Sequence, residues 1–436
     1  MRPCTPPELL TDRYQLAMSA SYLAQGRAYD RVSFELFVRE LPHDRGYLLT
    51  AGLETALRYL EDFRFGQDSL DYLERSRTCE RPLLDALAGL RFEGDVDAMP
   101  EGTVAFATEP LLRIEGPRIA CQLAESFLLN LVNFQTLIAT KAARIVQAAA
   151  GRPVVDFGFR RAHGGEAGVL AARSAYIGGV IATATVAAGY EWGIPTTGTM
   201  SHSYVMGFPS ELDAYCAFLR DQPERPTLLI DTYETLEGAR LVAEAARLTG
   251  VAPAAVRLDS GDVDELSREV RVILDDAGLD ATGIFCSGDL DEYRIERLVS
   301  DGAPVDGFGA GTRLVTGGDV SALGGVYKLV ESAGRPVMKR STRKATLPGR
   351  HQVFRSDAGD VIGLADERLP GTRLLVPAMR NGRRVVEALP LNDVRDRARA
   401  ELAAQPERVR ALHDPATVLP ALSPAVDALR DELTHA

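Results

Sequence analysis

The stretch Pro153-Val154-Val155-Asp156-Phe157-Gly158-Phe159-Arg160-Arg161 decides how the chain is read. A short apolar run ends in a carboxylate, an aromatic–Gly–aromatic segment and two arginines. Such a run, bounded by turn residues, reads as a strand buried on both faces. It is the first of eight. Apolar runs at 154–157, 179–183, 195–198, 227–231, 255–258, 283–286, 305–309 and 325–330 alternate with helical stretches, at a spacing of roughly 25 residues that suits βα units. Eight such units predict an α/β fold with a (β/α)8 barrel; a doubly wound sheet is the other arrangement they allow.

Upstream the rhythm differs. Residues 11–25 read as an amphipathic helix capped by Thr11 or Asp12, 31–38 as a strand, and 47–63 and 70–76 as helices. A β-rich patch over 95–116 is punctuated by Pro-Glu-Gly, Glu-Pro and Gly-Pro, and a long helix follows over 118–149. Past Glu331, residues 339–344 are basic, 352–355 and 361–364 read as strands about an Asp-Ala-Gly turn, and the chain is helical from Asn392. The expected organisation is an N-terminal α/β domain with its β-rich patch over 1–150 and an irregular (β/α) barrel over 151–335. A segment over 336–436, too small for a domain of its own, is expected to pack back on the first and make it discontinuous.

Composition narrows the partners. A net charge of −12 argues against a nucleic-acid or anionic-membrane surface, though not against a local basic pocket. Apolar residues at 46% and charged residues at 25% are ordinary for a soluble protein, and no leader or long apolar run stands out. The five cysteines, Cys4, Cys79, Cys121, Cys216 and Cys286, are odd in number and form no CxxC. They fit reduced cytoplasmic thiols better than a disulfide framework or a zinc site.

A barrel places its chemistry at the C-terminal ends of its strands. There lie Asp156 to Gly164, Thr199 to Ser203, Arg257 to Asp262, Ser287-Gly288-Asp289 and Gly309-Ala310-Gly311-Thr312, with Lys328 on the expected eighth strand. Gly309 to Thr312 is a phosphate-cradle candidate, because glycines let backbone N–H groups turn toward an anion; a tight turn needing positive φ reads equally well. Arg257 and Asp259, two apart on a strand, point the same way. A carboxylate there suits Mg2+ or ribose hydroxyls, whereas Asp262 suits a helix cap. Phe157 or Phe159 offers a stacking face and Arg160 a partner for carboxylate or phosphate; packing is the alternative for one of the two rings. His163 reads as a helix-start residue. His202, between two serines, has no second ligand at metal spacing and no GxSxG elbow nearby. At the mouth of a phosphate-binding barrel it reads as functional rather than structural.

Together these segments resemble the nicotinate phosphoribosyltransferases. The resemblance is carried by Leu10-Thr11-Asp12-Arg13-Tyr14-Gln15-Leu16-Ala17-Met18, by Pro100-Glu101-Gly102 through Pro117, and by 156–161, 198–203, 257–262, 308–312 and 323–328, in that order. It implies an irregular (β/α) barrel beside a discontinuous α/β domain. It also implies transfer of phosphoribose from phosphoribosyl pyrophosphate to nicotinate, with Mg2+ as cofactor and ATP as co-substrate. His202 would then accept a phosphoryl group. Tyr14 would reach a neighbouring subunit's site in a homodimer and Phe157 would cover the other face of the ring. Arg160, Thr199 and Arg257 would orient the carboxylate, Asp259 would serve the ribose or Mg2+, and Gly309, Gly311 and Thr312 would hold the 5′-phosphate. One departure stands out: Ala182-Thr183-Ala184-Thr185 replaces a Gly-Thr-Ser-Asn or Gly-Thr-Asp-Thr segment. Nicotinamide-specific relatives carry aspartate where Ala184 stands, so its absence favours the acid. A nicotinamide or quinolinate enzyme and a non-catalytic phosphosugar-binding barrel are the competing readings.

Overall fold

The computed structural model describes residues 6–341 and 344–435. Cys4 lies outside the described residues, as do Thr342 and Arg343 of the basic 339–344 segment. The chain divides into two compact units, Met1–Leu137 with Ala322–Ala436, and Ile138–Ser321.

The Ile138–Ser321 unit is built on a six-stranded sheet in the order Ala182–Thr183, Val154–Asp156, Gly307–Ala310, Gly283–Cys286, Ala255–Leu258, Thr227–Leu229. Every pairing is parallel. Parallel strands covered on both faces need continuous apolar sequence. Val154, Val155, Leu228, Leu229, Val256, Leu258, Ile284 and Phe308 supply it, each fully buried. Helices return the chain between strands, several of them started by a side-chain cap: Ser210, Glu234, Asp262 and Asp291 each accept from backbone N–H groups of the first turn. Asp262 is thus a cap, one of the two roles its position allowed.

The sheet curls but forms no eight-stranded barrel. The expected strand at 195–198 is reduced to a single parallel bridge between Thr183 and Thr196. The expected eighth strand belongs elsewhere: Gly325–Ser332 pairs antiparallel with Arg31–Val38 in the other unit, and Lys328 sits opposite Glu35. The physical reason lies in the connection. A parallel return usually carries the chain back along the sheet in a crossover helix. Between Ala310 and Gly325 there is one four-residue helix, Thr312–Val315, followed by Gly317 and Gly318 at positive φ.

In the discontinuous unit, a seven-stranded antiparallel sheet runs Arg335–Pro336, Gly325–Ser332, Arg31–Val38, Pro110–Pro117, Asp95–Ala98, Val376–Arg380, Arg383–Arg384. Strands from beyond residue 322 therefore flank both sides of strands from 31–117. Phe34 and Tyr327 stack at 4.7 Å across the first such seam. The expected helix at 47–63 is shorter, Leu53–Glu61, because Leu48–Leu49 forms a strand and Gly52, at φ +100°, turns the chain into the helix. The long helix is two, Arg118–Leu123 and Glu125–Ala148. The first helix, Arg13–Ala24, buries Gln15, Leu16 and Ser19, so its inward face is more polar than an amphipathic pattern implies. Among the described residues no helix is long and apolar enough to cross a membrane.

Candidate active site

Arg257 is the hub. It lies next to the end of the Ala255–Leu258 strand, is 9% exposed, and spends one N–H from each nitrogen on a different neighbour. Nε donates to Ser287 Oγ at 2.8 Å, one Nη to Thr199 Oγ1 at 3.0 Å, and the other to Asp259 Oδ1 at 2.7 Å. A guanidinium has five N–H donors, so two remain, one on each Nη. Its Cζ lies 5.2 Å from the centre of the Phe157 ring, a cation–π arrangement. Two of the three residues expected to grip a carboxylate, Arg257 and Thr199, thus meet here.

Asp259 is held from several sides. Ser287 Oγ donates to its Oδ1 at 2.5 Å beside the Arg257 bond. Burial alone pushes the carboxyl pKa up. The Ser287 hydroxyl and the Arg257 charge and bond outweigh it, and the group ends below the usual carboxylate range. Its backbone N–H donates to Asp231 Oδ2 at 3.0 Å, which also accepts from Ser260 Oγ at 2.5 Å. Asp231 Oδ1 is buried without a hydrogen-bond partner. Gly288, at φ +93°, closes the arrangement: a Cβ there would strike the Asp259 carbonyl oxygen. The three strand ends at 231, 259 and 287 form one polar rim.

His202 begins the short helix His202–Met206. Its Nδ1 is 3.2 Å from Thr232 Oγ1, on the same strand-end loop as Asp231. In the tautomer whose Nδ1–H donates to Thr232, the lone pair is on Nε2. Ser201 and Ser203 hydroxyls face each other at 2.7 Å.

Phe157 leans on the Phe285 ring at 5.9 Å and over Gly309. A Cβ on Gly309 would come within 2.6 Å of that ring. Gly309 is therefore a glycine for ring clearance, inside the Gly307–Ala310 strand. Gly311, at φ −120°, and Gly309 both lack a positive φ, which removes the tight-turn explanation. Gly311 leads directly into Thr312–Val315. Asp156, beneath, accepts from Thr183 Oγ1 at 2.6 Å and Gly158 N at 2.7 Å. Burial nonetheless pushes its pKa up.

Not every expected residue joins this cluster. Arg160, on the turn Phe159–Arg161, is exposed and makes none of these contacts. Phe159 packs on Gly168 rather than facing the hub. Tyr14 belongs to the discontinuous unit, where it is 52% exposed. Lys328, expected on a barrel strand, is in that unit too. Burial, with Arg39, Lys339 and Lys344 nearby, holds its ammonium pKa below the usual range against the pull of Glu125. Ser287, Asp231 and Thr232 received no individual role from sequence reasoning. A signal was present: each is a polar residue directly following an apolar strand, the rule that singled out Asp259.

Among the described residues no group of three His, Cys, Asp or Glu side chains is placed to hold a metal. A protein cage for a cation is therefore absent there. Two carboxylates with unfilled oxygens, Asp231 and Asp259, suit Mg2+ in its other mode, shared with substrate phosphates.

Residues 9–133 match the family model described as nicotinate phosphoribosyltransferase N-terminal domain. Nicotinate phosphoribosyltransferase pncB2 of Mycobacterium tuberculosis is 46% identical over 414 residues, covering 93% of this chain and 89% of its own. The Bacillus subtilis nicotinate phosphoribosyltransferase is 40% identical over 377 residues, covering 83% and 77%. The crystal structure of human nicotinic acid phosphoribosyltransferase superposes with a TM-score of 0.87 at 29% identity, covering 97% of this chain and 99% of that one. With similarity of this extent along nearly the whole chain, the protein belongs to the nicotinate phosphoribosyltransferase family.

Proposed function

We propose that this chain joins nicotinate to phosphoribosyl pyrophosphate, giving nicotinate mononucleotide and pyrophosphate, the first step of NAD salvage from nicotinate. The observation that carries the reading is the Arg257 hub: a buried guanidinium with two donors left over, above an aromatic ring and beside a strand-end carboxylate pair. Two unspent N–H groups on one cation match a carboxylate better than a carboxamide.

In this reading Phe157 carries the pyridine ring, and Arg257, with Thr199, holds its carboxylate. Gly309, Gly311 and Thr312 hold the 5′-phosphate through backbone N–H groups and a hydroxyl. The ring nitrogen forms its bond to ribose C1 as the C1–oxygen bond to pyrophosphate breaks. Asp259, kept ionised by Ser287 and Arg257, faces the positive charge that develops at C1. Asp231 and Asp259 would hold Mg2+, which neutralises charge on the departing pyrophosphate when bound. Ala184 presents no acceptor for an amide NH2, so selection favours the acid.

His202 is the residue for ATP coupling. With Nδ1–H given to Thr232, Nε2 can attack the γ-phosphorus of ATP; the bond to the ADP oxygen breaks and phosphohistidine forms. Tyr14, exposed in the discontinuous unit, fits a ring-stacking role in the site of a second copy, which makes the enzyme a homodimer. Cytoplasmic work suits the four buried free thiols Cys79, Cys121, Cys216 and Cys286.

The test is to incubate wild type and His202→Ala with ATP labelled in its γ-phosphate and to follow nicotinate turnover in parallel. Acid-labile label on wild type alone, with ATP raising turnover only in wild type, is the expected result. Unlabelled wild type whose turnover ignores ATP would remove His202 from the scheme. Binding of phosphoribosyl pyrophosphate without any turnover would leave a phosphosugar-binding protein instead.

A further inference from the structure

The Ile138–Ser321 unit contains a buried ionic cluster that the active-site description does not use. Lys141, 1% exposed on the Glu125–Ala148 helix, places Nζ 2.6 Å from Glu292 Oε2 and 2.9 Å from Asp319 Oδ1. Arg144 Nε lies 3.0 Å from Glu292 Oε1, and Glu292 is 0% exposed.

Charge counting makes Lys141 informative. Burying a cation is costly unless it is paired and hydrogen-bonded. Arg144 already neutralises Glu292. Lys141 brings a second buried cation to Glu292 and at the same time reaches Asp319. That pairing joins two loops. Glu292 opens the Glu292–Ser300 helix, directly after the Ser287–Asp291 loop whose Ser287 holds Arg257 and Asp259. Asp319 follows the Gly311–Val315 turn that leads out of the proposed phosphate cradle. Gly318, at φ +64°, lies against the ammonium, and a Cβ there would sit 2.8 Å from Lys141 Nζ. The strands feeding these loops, Gly283–Cys286 and Gly307–Ala310, are direct parallel neighbours. The other tie between the loops, Arg313 to Asp289 at 3.4 Å, is an exposed pair of little strength.

We propose that Lys141 is a positioning residue for phosphosugar binding: by clamping Asp319 to Glu292 it fixes the cradle at Gly309 to Thr312 relative to the loop that carries Ser287. This rests on the phosphoribosyl reading above. No atom of Lys141 touches substrate; its effect is on where the cradle N–H groups stand.

The test uses full-length Asp319→Asn and Lys141→Met, with melting temperatures, calorimetric binding of phosphoribosyl pyrophosphate, and steady-state kinetics in each substrate. Asp319 is 39% exposed, so Asp319→Asn folds even where Lys141→Met does not. The expected result is a KM for phosphoribosyl pyrophosphate raised about tenfold, the size of one weakened hydrogen bond to the phosphate. The KM for nicotinate and kcat should stay within about twofold, the pattern of a purely binding role. A folded Asp319→Asn enzyme that binds phosphoribosyl pyrophosphate as wild type does would overturn the proposal, as would kcat and both KM values moving together. If wild type itself neither binds nor turns over phosphoribosyl pyrophosphate, the phosphoribosyl reading fails and takes this one with it; failure confined to the variants' phenotype leaves that reading intact.

Discussion

Replacing Arg257 by Lys keeps a cation next to Asp259 and removes the guanidinium fork. Arg257 makes three side-chain hydrogen bonds, to Ser287, Thr199 and Asp259. A lysine ammonium is a compact charge that can keep the Asp259 contact but cannot span the other two. Two lost bonds at about 1 kcal/mol each give a stability loss of about 2 kcal/mol. For a unit of this size that lowers Tm by about 4–8 °C. The effect on function is separable and larger. Of the two donors free for a substrate carboxylate, lysine supplies one. Losing one charge-assisted bond costs about 1.5–3 kcal/mol, or about 10- to 150-fold in kcat/KM for nicotinate. An amide uses the fork less, so the ratio of acid to amide turnover should fall by a similar factor. The assay is steady-state formation of mononucleotide from nicotinate and from nicotinamide, below the melting transition. A variant that melts lower yet keeps kcat/KM for nicotinate within twofold and keeps its selectivity would refute the argument: Arg257 would then be a structural tie for three strand ends.

Further outcomes follow from the same geometry. Gly288→Ala should cost about 1–3 kcal/mol, because a left-handed backbone and a Cβ against the Asp259 carbonyl act together. Gly278→Ala, at φ +72° in open space, is the control and should cost about 1–2 kcal/mol with turnover unchanged; urea unfolding and turnover read both. Asp156 has its folded pKa raised by burial, so its contribution is fully present below the unfolded carboxyl value and is lost as pH rises through the folded one. Asp156→Asn should therefore gain stability relative to wild type between acid and neutral pH, checked by melting temperatures across that range. Asp259 has the opposite sign: its contribution is present above the unfolded carboxyl value and is lost as pH falls through the lowered folded one. Asp259→Asn should flatten that acid limb and depress kcat. An unchanged acid limb would mean that the Ser287 and Arg257 bonds do not hold the carboxylate ionised.

How much was legible in the sequence can be judged from particular segments. The runs at 154, 227, 255, 283 and 305 were readable because a strand covered on both faces has to be continuously apolar, and few other structures demand that. The run at 325–330 has the same composition, yet it pairs antiparallel with Arg31–Val38 in the other unit. Nothing in a strand's own residues names its partner. The clue lay in the connection, where Gly317 and Gly318 leave no room for a crossover helix. The Pro195–Gly198 run was overestimated because two β-branched threonines suggest a strand, while the structure keeps one bridge at Thr196.

The site was legible where polar residues end apolar strands. Asp259, Arg257, Thr199 and Phe157 meet as their positions implied. Ser287 and Asp231 follow the same rule and went unassigned, since their roles exist only through contacts with Arg257 and Asp259 from other strands. Gly309 was read as a phosphate contact or a turn, but its immediate constraint is the Phe157 ring. The Lys141–Glu292–Asp319 cluster was illegible: its members lie far apart in the chain and resemble ordinary surface charges until the burial of Lys141 and Glu292 is known.

The central claim is transfer of phosphoribose to the acid form of the pyridine ring by this chain. The measurement that reaches it most directly is mass-spectrometric turnover by wild type with phosphoribosyl pyrophosphate and Mg2+, offering nicotinate and nicotinamide in competition. Nicotinate mononucleotide as the dominant product, with pyrophosphate released in equal amount, is the predicted result. Nicotinamide mononucleotide as the dominant product, or no nucleotide from either ring, would contradict it.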